Sequence, residues 1–364
     1  MVFVPAFLSF VITVVFLFAL RPLAVAVGLV DVPGGRKRHD VPVPVIGGIA
    51  MSIGLGVGTS LAPHPVSWTP TMLGVYLLVV VGTIDDRFDL PANVRLVAQS
   101  CAALLVVLAS GVVISSLGDP LFFPLGLGHF SLPFTVLFVI TIVNAFNLID
   151  GIDGLAGGLA LLSLIALAVI GIGTPTFGVT VICGSTVAAY LIFNLPLGFN
   201  RPVRTFMGDA GSTTLGLIVA TIGILSSQGP TPRITPVTGL WLVAVPVFDL
   251  FSAIVRRVLA SKSPFAPDDS HLHHVLTASG LSHRKTLVVL LALATAFAFI
   301  GLIGDMLLIP EGVMLPLWVI AGVLYYQLMR HAGPVVRLAR RFLPATSEVI
   351  PAAVEVDSGA RRAE

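Results

Sequence analysis

Apolar residues run along this chain in stretches about as long as a bilayer is thick, and no other feature constrains its fold as tightly. A spanning helix needs roughly 20 mostly apolar residues. About eleven stretches fit that description: 2–21, 45–62, 71–84, 95–114, 131–147, 155–173, 178–194, 211–227, 236–256, 286–306 and 311–330. The first has no basic segment ahead of it and meets its first charge at Arg21, which predicts a retained helix rather than a cleaved leader. The Gly-, Pro- and Phe-rich region 115–130 reads equally well as a small re-entrant or hairpin element and as a plain loop. The predicted fold is an all-α integral membrane protein.

Composition agrees with this reading. Charged residues are 10% of the chain, hydrophobic residues 56% and the mean hydropathy is +1.02, whereas a soluble domain carries about 25% charged residues. That excludes an ordinary water-soluble domain and a disordered chain. A net charge of +2 gives no sign of a nucleic-acid partner. Cys101 and Cys183 each lie inside an apolar run, unsuited to a disulfide, and their spacing matches no metal motif.

With an odd number of spans the termini lie on opposite faces. One face then receives 22–44, 85–94, 148–154, 195–210, 257–285 and the tail after 330, and, counting the arginines at its helix ends such as Arg21, Arg95 and Arg256, it holds every one of the 20 Lys and Arg residues except Arg233. The positive-inside rule puts that face in the cytoplasm, the N-terminus in the periplasm and the C-terminus inside. Residues 1–342 read as one polytopic domain and 343–364 as a disordered cytoplasmic tail, so removing about 345 onward should leave activity intact.

Acids crowd the same face: Asp85, Asp86, Asp89, Asp150, Asp153, Asp209, Asp268 and Asp269, against Asp119, Asp305 and Glu311 outside. A single loop acid is explained as well by helix capping; a collection among basic residues points to a site for a metal and a polyanion. Asp85 and Asp86 close the third stretch, where adjacent carboxylates need a cation, a partner or a proton. Asp150 and Asp153 close the fifth, three positions apart and so on one face of a helical turn, in a pattern that fails the EF-hand template. Gly151, Gly154, Gly157 and Gly158 leave the backbone bare where free N–H groups could meet phosphate, though helix packing explains Gly157 and Gly158 as well.

Asp209 opens the eighth stretch between Gly208 and Gly211, behind the basic Arg201 and Arg204. Taken alone it reads as an N-cap. Two further basic segments, Arg36-Lys37-Arg38-His39 and the run from Ser263 to His274, complete the face. His271 and His274 would share one side of a helix, but zinc would want further ligands, so imidazole contact with phosphate is the better assignment. Asp249, after Pro246, is the one clear acid inside an apolar stretch, and either pairs with an arginine such as Arg256 or caps a break at Pro246.

The strings Val81-Gly82-Thr83-Ile84-Asp85-Asp86-Arg87-Phe88-Asp89, Asn144 to Gly154, Phe206-Met207-Gly208-Asp209-Ala210-Gly211-Ser212 and His271-Leu272-His273-His274 resemble the motifs of the polyprenyl-phosphate N-acetylhexosamine-1-phosphate transferases. The similarity runs from about Arg36 to His274, in the family's order and on the expected face. It implies a magnesium-dependent enzyme, with manganese as a substitute, of the bacterial inner membrane. Such an enzyme moves sugar 1-phosphate from a UDP-sugar to undecaprenyl phosphate and releases UMP. By the same resemblance Asp85, Asp86, Asp150 and Asp153 are catalytic acids, with Asp85 as base, and Asp209 and Asp86 are magnesium ligands. Asn147, Asn194 and Phe206 match the uridine pocket, and Lys37, Arg204, His271, His273 and His274 the remaining substrate contacts. A longer connection follows Asn194 than in the peptidoglycan enzyme. The family is also homodimeric in expectation.

Phosphoryl transfer between diphosphate and phosphate is mostly positioning and charge neutralisation, and the prenyl acceptor explains why a reaction of a soluble nucleotide sugar uses a nearly all-membrane protein. Direct attack is preferred to a route through an aspartyl-phosphate; both stay open. The segments around Lys37 and 263–268 resemble the subgroup that uses UDP-GlcNAc to start lipopolysaccharide or common antigen, with UDP-FucNAc, UDP-QuiNAc or UDP-MurNAc-pentapeptide as alternatives. A transporter or lipid flippase is the rival class. Transport sites, however, lie near the midplane, where only Asp249 stands.

Overall fold

A computed structural model describes residues 2–32, 42–65, 67–196, 204–229, 231–263, 271–278 and 280–330. Lys37, the loop acids Asp268 and Asp269, and the tail 343–364 fall outside the described residues.

The chain is a helical bundle. In order come α1 (Phe3–Ala19), α2 (Arg21–Val27), β1 (Val30–Asp31), β2 (Val43–Pro44), α3 (Gly47–Ser60), α4 (Trp68–Phe88), α5 (Ala92–Leu104), α6 (Ser131–Ile149), α7 (Leu155–Ile170), α8 (Thr176–Asn194) and α9 (Gly208–Ser227). Then follow α10 (Pro236–Leu242), α11 (Ala244–Leu259), α12 (Leu272–Ala278), α13 (His283–Met306) and α14 (Glu311–Arg330). Among the described residues, 7 helices are long and apolar enough to cross a membrane, or 9 if each of two bent pairs is one span. The bends fall between α1 and α2, at 43°, and between α10 and α11, at 81°. Hydropathy is a sum over a window and carries no direction, so 236–256 reads as one stretch although the chain turns sharply at Val243. Pro246 lies in the first turn of α11, where a missing N–H costs nothing.

Helix α9 is the axis of the bundle and packs against α3, α4, α6, α7, α8 and α10. Its neighbours approach closely because small residues face it: a Cβ on Gly82 of α4 would overlap the Ala210 backbone. By contrast α13 and α14 present mostly exposed apolar side chains, the surface a lipid bilayer covers. Residues 115–127 form the hairpin rather than the plain loop: the Leu117 N–H donates to the Leu125 carbonyl and the Leu125 N–H to the Gly118 carbonyl near a bridge between Ser116 and Gly126, and the Gln228 side chain holds the base of the hairpin at Ser115 and Ser116.

At the acid-rich end the two short strands pair antiparallel, and Val45 bridges Phe206. The Phe206 N–H donates to the Pro44 carbonyl at 3.0 Å and the Gly47 N–H to the Phe206 carbonyl at 2.9 Å. This collar aligns the start of α3 with the segment that leads into α9.

Candidate active site

Helix α4 ends in Asp85 and Asp86, and α9 begins beside them. Acids at a helix C-terminus face the negative end of its dipole, so they need a counter-field. Asp86 finds one at the opposite pole of α9: its carboxylate accepts the Asp209 N–H at 2.8 Å and the Ala210 N–H at 3.4 Å. Asp86 is therefore the cap of α9. Asp209 sits within the first turn, behind Met207 and Gly208, and does not act as the N-cap that the sequence alone suggests. Its Oδ1 accepts Asn147 Nδ2 at 2.9 Å, and the same amide donates to Ser212 Oγ at 3.0 Å. Asp85 is buried, taking the Leu90 N–H at 2.6 Å and Arg95 Nη1 at 3.2 Å. Arg95 also reaches Asp209 Oδ2 at 3.4 Å, so one guanidinium joins the acids of α4 and α9. Asn144, in contrast, pairs with Gln99 and serves the packing of α6 on α5.

Asp150 and Asp153 do not share a helical turn. Asp150 ends α6 and the chain then runs through a tight turn into α7, with Gly154 at φ 79°. The two acids have different surroundings. Burial, then the charges of Asp209, Asp153 and Asp86, push the Asp150 carboxyl up to about 8. Asp153 forms an ion pair with Arg204, whose guanidinium lies 4.9 Å above the centre of the Phe206 ring. Asn194 is buried, its Oδ1 accepting the Gly154 N–H at 2.6 Å and its Nδ2 donating to the Thr205 carbonyl at 3.0 Å. Both ends of that amide are thus committed to the main chain, joining the α6–α7 turn to the collar. The Gly154 N–H is engaged as well, so it is not an open phosphate donor.

The histidines close over this turn. His271 precedes α12 rather than lying on it, so the closest pairings differ from a helical spacing of three. The His271 and His273 rings stack 5.8 Å apart and 5° from parallel, and His273 lies 4.1 Å from His274. His273 is 1% exposed and packs so tightly on Gly151 that a Cβ there would overlap its ring. Among the described residues neither of its ring nitrogens has a hydrogen-bond partner. Burial, and then the neighbouring His274, hold its imidazole down at about 3. Asp249 pairs with neither Arg256 nor a break at Pro246: it holds His271 Nδ1 at 2.6 Å, the Leu272 N–H at 3.0 Å and the Tyr325 hydroxyl at 3.1 Å. Arg95 and Tyr325 are site neighbours that motif reading passed over, and Asp249, noticed as an acid in an apolar stretch, was not linked to the histidines. The one available signal was their charge or hydroxyl inside otherwise apolar helices.

No group of three or more His, Cys, Asp or Glu side chains among the described residues forms a ready-made metal cage. Magnesium does not require one, since it binds through one or two carboxylates, water and substrate phosphates. The residues fit that demand: the Asp86 and Asp209 carboxylates come together where α4 meets α9, and after burial their charges help raise the Asp150 carboxyl, a repulsion that a divalent cation bound to these hard oxygens would relieve. The Arg204 guanidinium supplies a cation suited to a diphosphate.

Comparison with known proteins points the same way. The family described as glycosyl transferase family 4 matches residues 68–227, from the start of α4 to the end of α9. A Yersinia pestis protein named undecaprenyl-phosphate alpha-N-acetylglucosaminyl 1-phosphate transferase is 36% identical over 340 residues, 92% of this chain and 93% of its own. Proteins of the same name from Escherichia coli K12, 36% identical over 91% of this chain and 92% of theirs, and from Haemophilus influenzae, 35% over 92% and 96%, match as fully.

Proposed function

The chain belongs to glycosyl transferase family 4, and from that premise we propose that the junction of α4, α6 and α9 is the place where it transfers sugar 1-phosphate to undecaprenyl phosphate. It is a phosphoglycosyltransferase: N-acetylglucosamine 1-phosphate passes from the UDP-sugar to the lipid phosphate, leaving undecaprenyl-diphosphate-sugar and UMP. The observation that supports this site is the meeting of Asp86 and Asp209, with Asn147 and Arg95 both bonded to the Asp209 carboxylate.

In this reading a lipid phosphate oxygen bonds to the β-phosphorus of the donor, the bond to the bridging anhydride oxygen breaks, and UMP departs. Magnesium, or manganese in its place, supplies charge neutralisation at the diphosphate when bound to Asp209 and Asp86. Asp85 acts as base toward the lipid phosphate, with Arg95 orienting its carboxylate. Arg204 is steered by Asp153 and stacked on Phe206, and so presents a fixed cation to the nucleotide. Asn147 orients Asp209 and lines the uridine side, and His271, His273 and His274 close over the donor side of the site. Lys37 contributes from outside the described residues. Asn194 shapes the pocket by holding the α6–α7 turn.

The orientation belongs to the same proposal: about eleven spans, the site on the cytoplasmic face of the bacterial inner membrane, the N-terminus outside. The asymmetry of Lys and Arg supports it. A homodimer and a place at the start of O-antigen or other envelope polysaccharide synthesis rest on family resemblance. The test is to incubate purified protein with undecaprenyl phosphate, magnesium and each candidate UDP-sugar, then weigh the lipid product and assay UMP. UDP-GlcNAc should be used at least about tenfold faster than its rivals. Preference for UDP-FucNAc or UDP-QuiNAc would overturn the sugar assignment, and no lipid-linked product the reaction.

A further inference from the structure

Asp249 is an acid that no step of the proposed reaction uses. It sits in the second turn of α11, 1% exposed, and all its hydrogen-bonding capacity is directed at elements beyond that helix. Oδ1 accepts the Leu272 N–H and the Tyr325 hydroxyl, and Oδ2 accepts from His271 Nδ1 at 2.6 Å. A carboxylate is a costly way to fill space, because a well-packed apolar side chain would do it without desolvating a charge. The arrangement serves instead to fix what it holds.

What it holds is the entrance to the histidine cluster. Three elements converge on the carboxylate: α11, which carries it, α14 through Tyr325, and the His271–Leu272 step that opens α12. The His271 plane is fixed on its other side by the stacked His273, itself pressed on Gly151 between Asp150 and Asp153. Tyr325 is buried and anchored by ring contact with Phe248 at 5.9 Å. With Nδ1 bound to a carboxylate, the ring proton sits on Nδ1 and Nε2 is the nitrogen left for a substrate.

We propose that Asp249 and Tyr325 are positioning residues for the UDP-sugar: they lock the His271 imidazole in its Nδ1–H form and orientation so that the bare Nε2 accepts a hydrogen bond from a hydroxyl group of the donor. This rests on the transferase reading of the site. Asp249→Asn keeps the shape but offers an amide N–H to Nδ1, which moves the ring proton to Nε2.

Purified full-length protein in lipid nanodiscs, assayed for UMP release, tests the idea. For Asp249→Asn the kcat/KM for UDP-GlcNAc should fall about 10–100-fold, with the KM for undecaprenyl phosphate changed by less than about twofold. Tyr325→Phe keeps the ring packing and should lose about fivefold. Added to His271→Ala, Asp249→Asn should cost at most about threefold more, since the residue it acts through is gone; losses that multiply overturn the proposal. Independently, 15N spectra of histidine-labelled protein, assigned against His271→Ala, should show Nδ1–H in the unmodified chain and Nε2–H in Asp249→Asn. An Nε2–H ring in the unmodified chain overturns the proposal whatever the activity. Unmodified protein that releases no UMP sinks the transferase reading instead, and the spectra still decide the Asp249–His271 geometry.

Discussion

The Asp86 carboxylate accepts the backbone N–H of Asp209 at 2.8 Å, across 123 positions of sequence. One acid thereby releases another. Because Asp86 closes the first turn of α9, the Asp209 side chain has no capping duty and turns to Asn147 and Arg95.

That division of labour separates two variants. Asp209→Asn retains the hydrogen bond from Asn147 but removes the charge a hard cation prefers. Turnover should fall about a hundredfold or more, while stability changes by less than about 0.5 kcal/mol. Asp86→Ala uncaps α9 and should cost about 1–2 kcal/mol as well as activity. Thermal melting beside UMP release across a magnesium titration distinguishes them; near-normal turnover of Asp209→Asn at low magnesium sinks the ligand assignment.

Arg95 joins Asp85 to Asp209. Arg95→Gln leaves two neighbouring carboxylates without their shared cation. Since the guanidinium is partly exposed, the loss of stability should be small, about 1 kcal/mol. Activity should fall more than stability, and raised magnesium should recover part of it. An equal response at every magnesium concentration would separate Arg95 from the metal region.

Asn194→Ala orphans the buried Gly154 N–H and Thr205 carbonyl together. Each unsatisfied group costs about 1–3 kcal/mol, so a marked drop in melting temperature is expected ahead of any specific effect on UDP-GlcNAc KM. A variant that melts normally but binds donor poorly would instead make Asn194 a direct contact.

Asp150 provides a pH signature. Its carboxyl is raised to about 8, with burial the largest cause, from an ordinary value near 3.8. Between these limits the folded chain holds a proton the unfolded chain has released, so this group's contribution to stability declines as pH rises toward 8. A divalent cation competes with that proton. The rise in melting temperature on adding magnesium should therefore be larger at pH 8 than at pH 6, and Asp150→Asn should flatten the difference. An equal shift at both pH values argues against Asp150 sensing the metal.

Gly151 lies against the His273 ring without room for a Cβ. Gly151→Ala must move a buried imidazole or the turn that carries Asp150 and Asp153. Turnover should fall at least tenfold, about 1.4 kcal/mol in transition-state terms, in protein that still folds. Unimpaired turnover would show that the His273 position is immaterial.

Sequence alone determined that the chain is helical and lives in a membrane, because burying this much apolar surface with so few charges leaves no other solvent for it. It also determined which acids and histidines gather at one end, since charge is tolerated only near the ends of apolar stretches. Pairing was a different matter. Nothing in the local pattern reveals that Asp86 caps α9, that Arg95 bridges Asp85 and Asp209, or that Asp249 reaches His271 and Tyr325. Each of those contacts joins different helices, and helix packing, through close approaches such as Gly82 on Ala210, sets which side chains meet. The bend at Val243 was hidden for the same reason: hydropathy measures how apolar a segment is, whereas direction is decided by the neighbours it packs against.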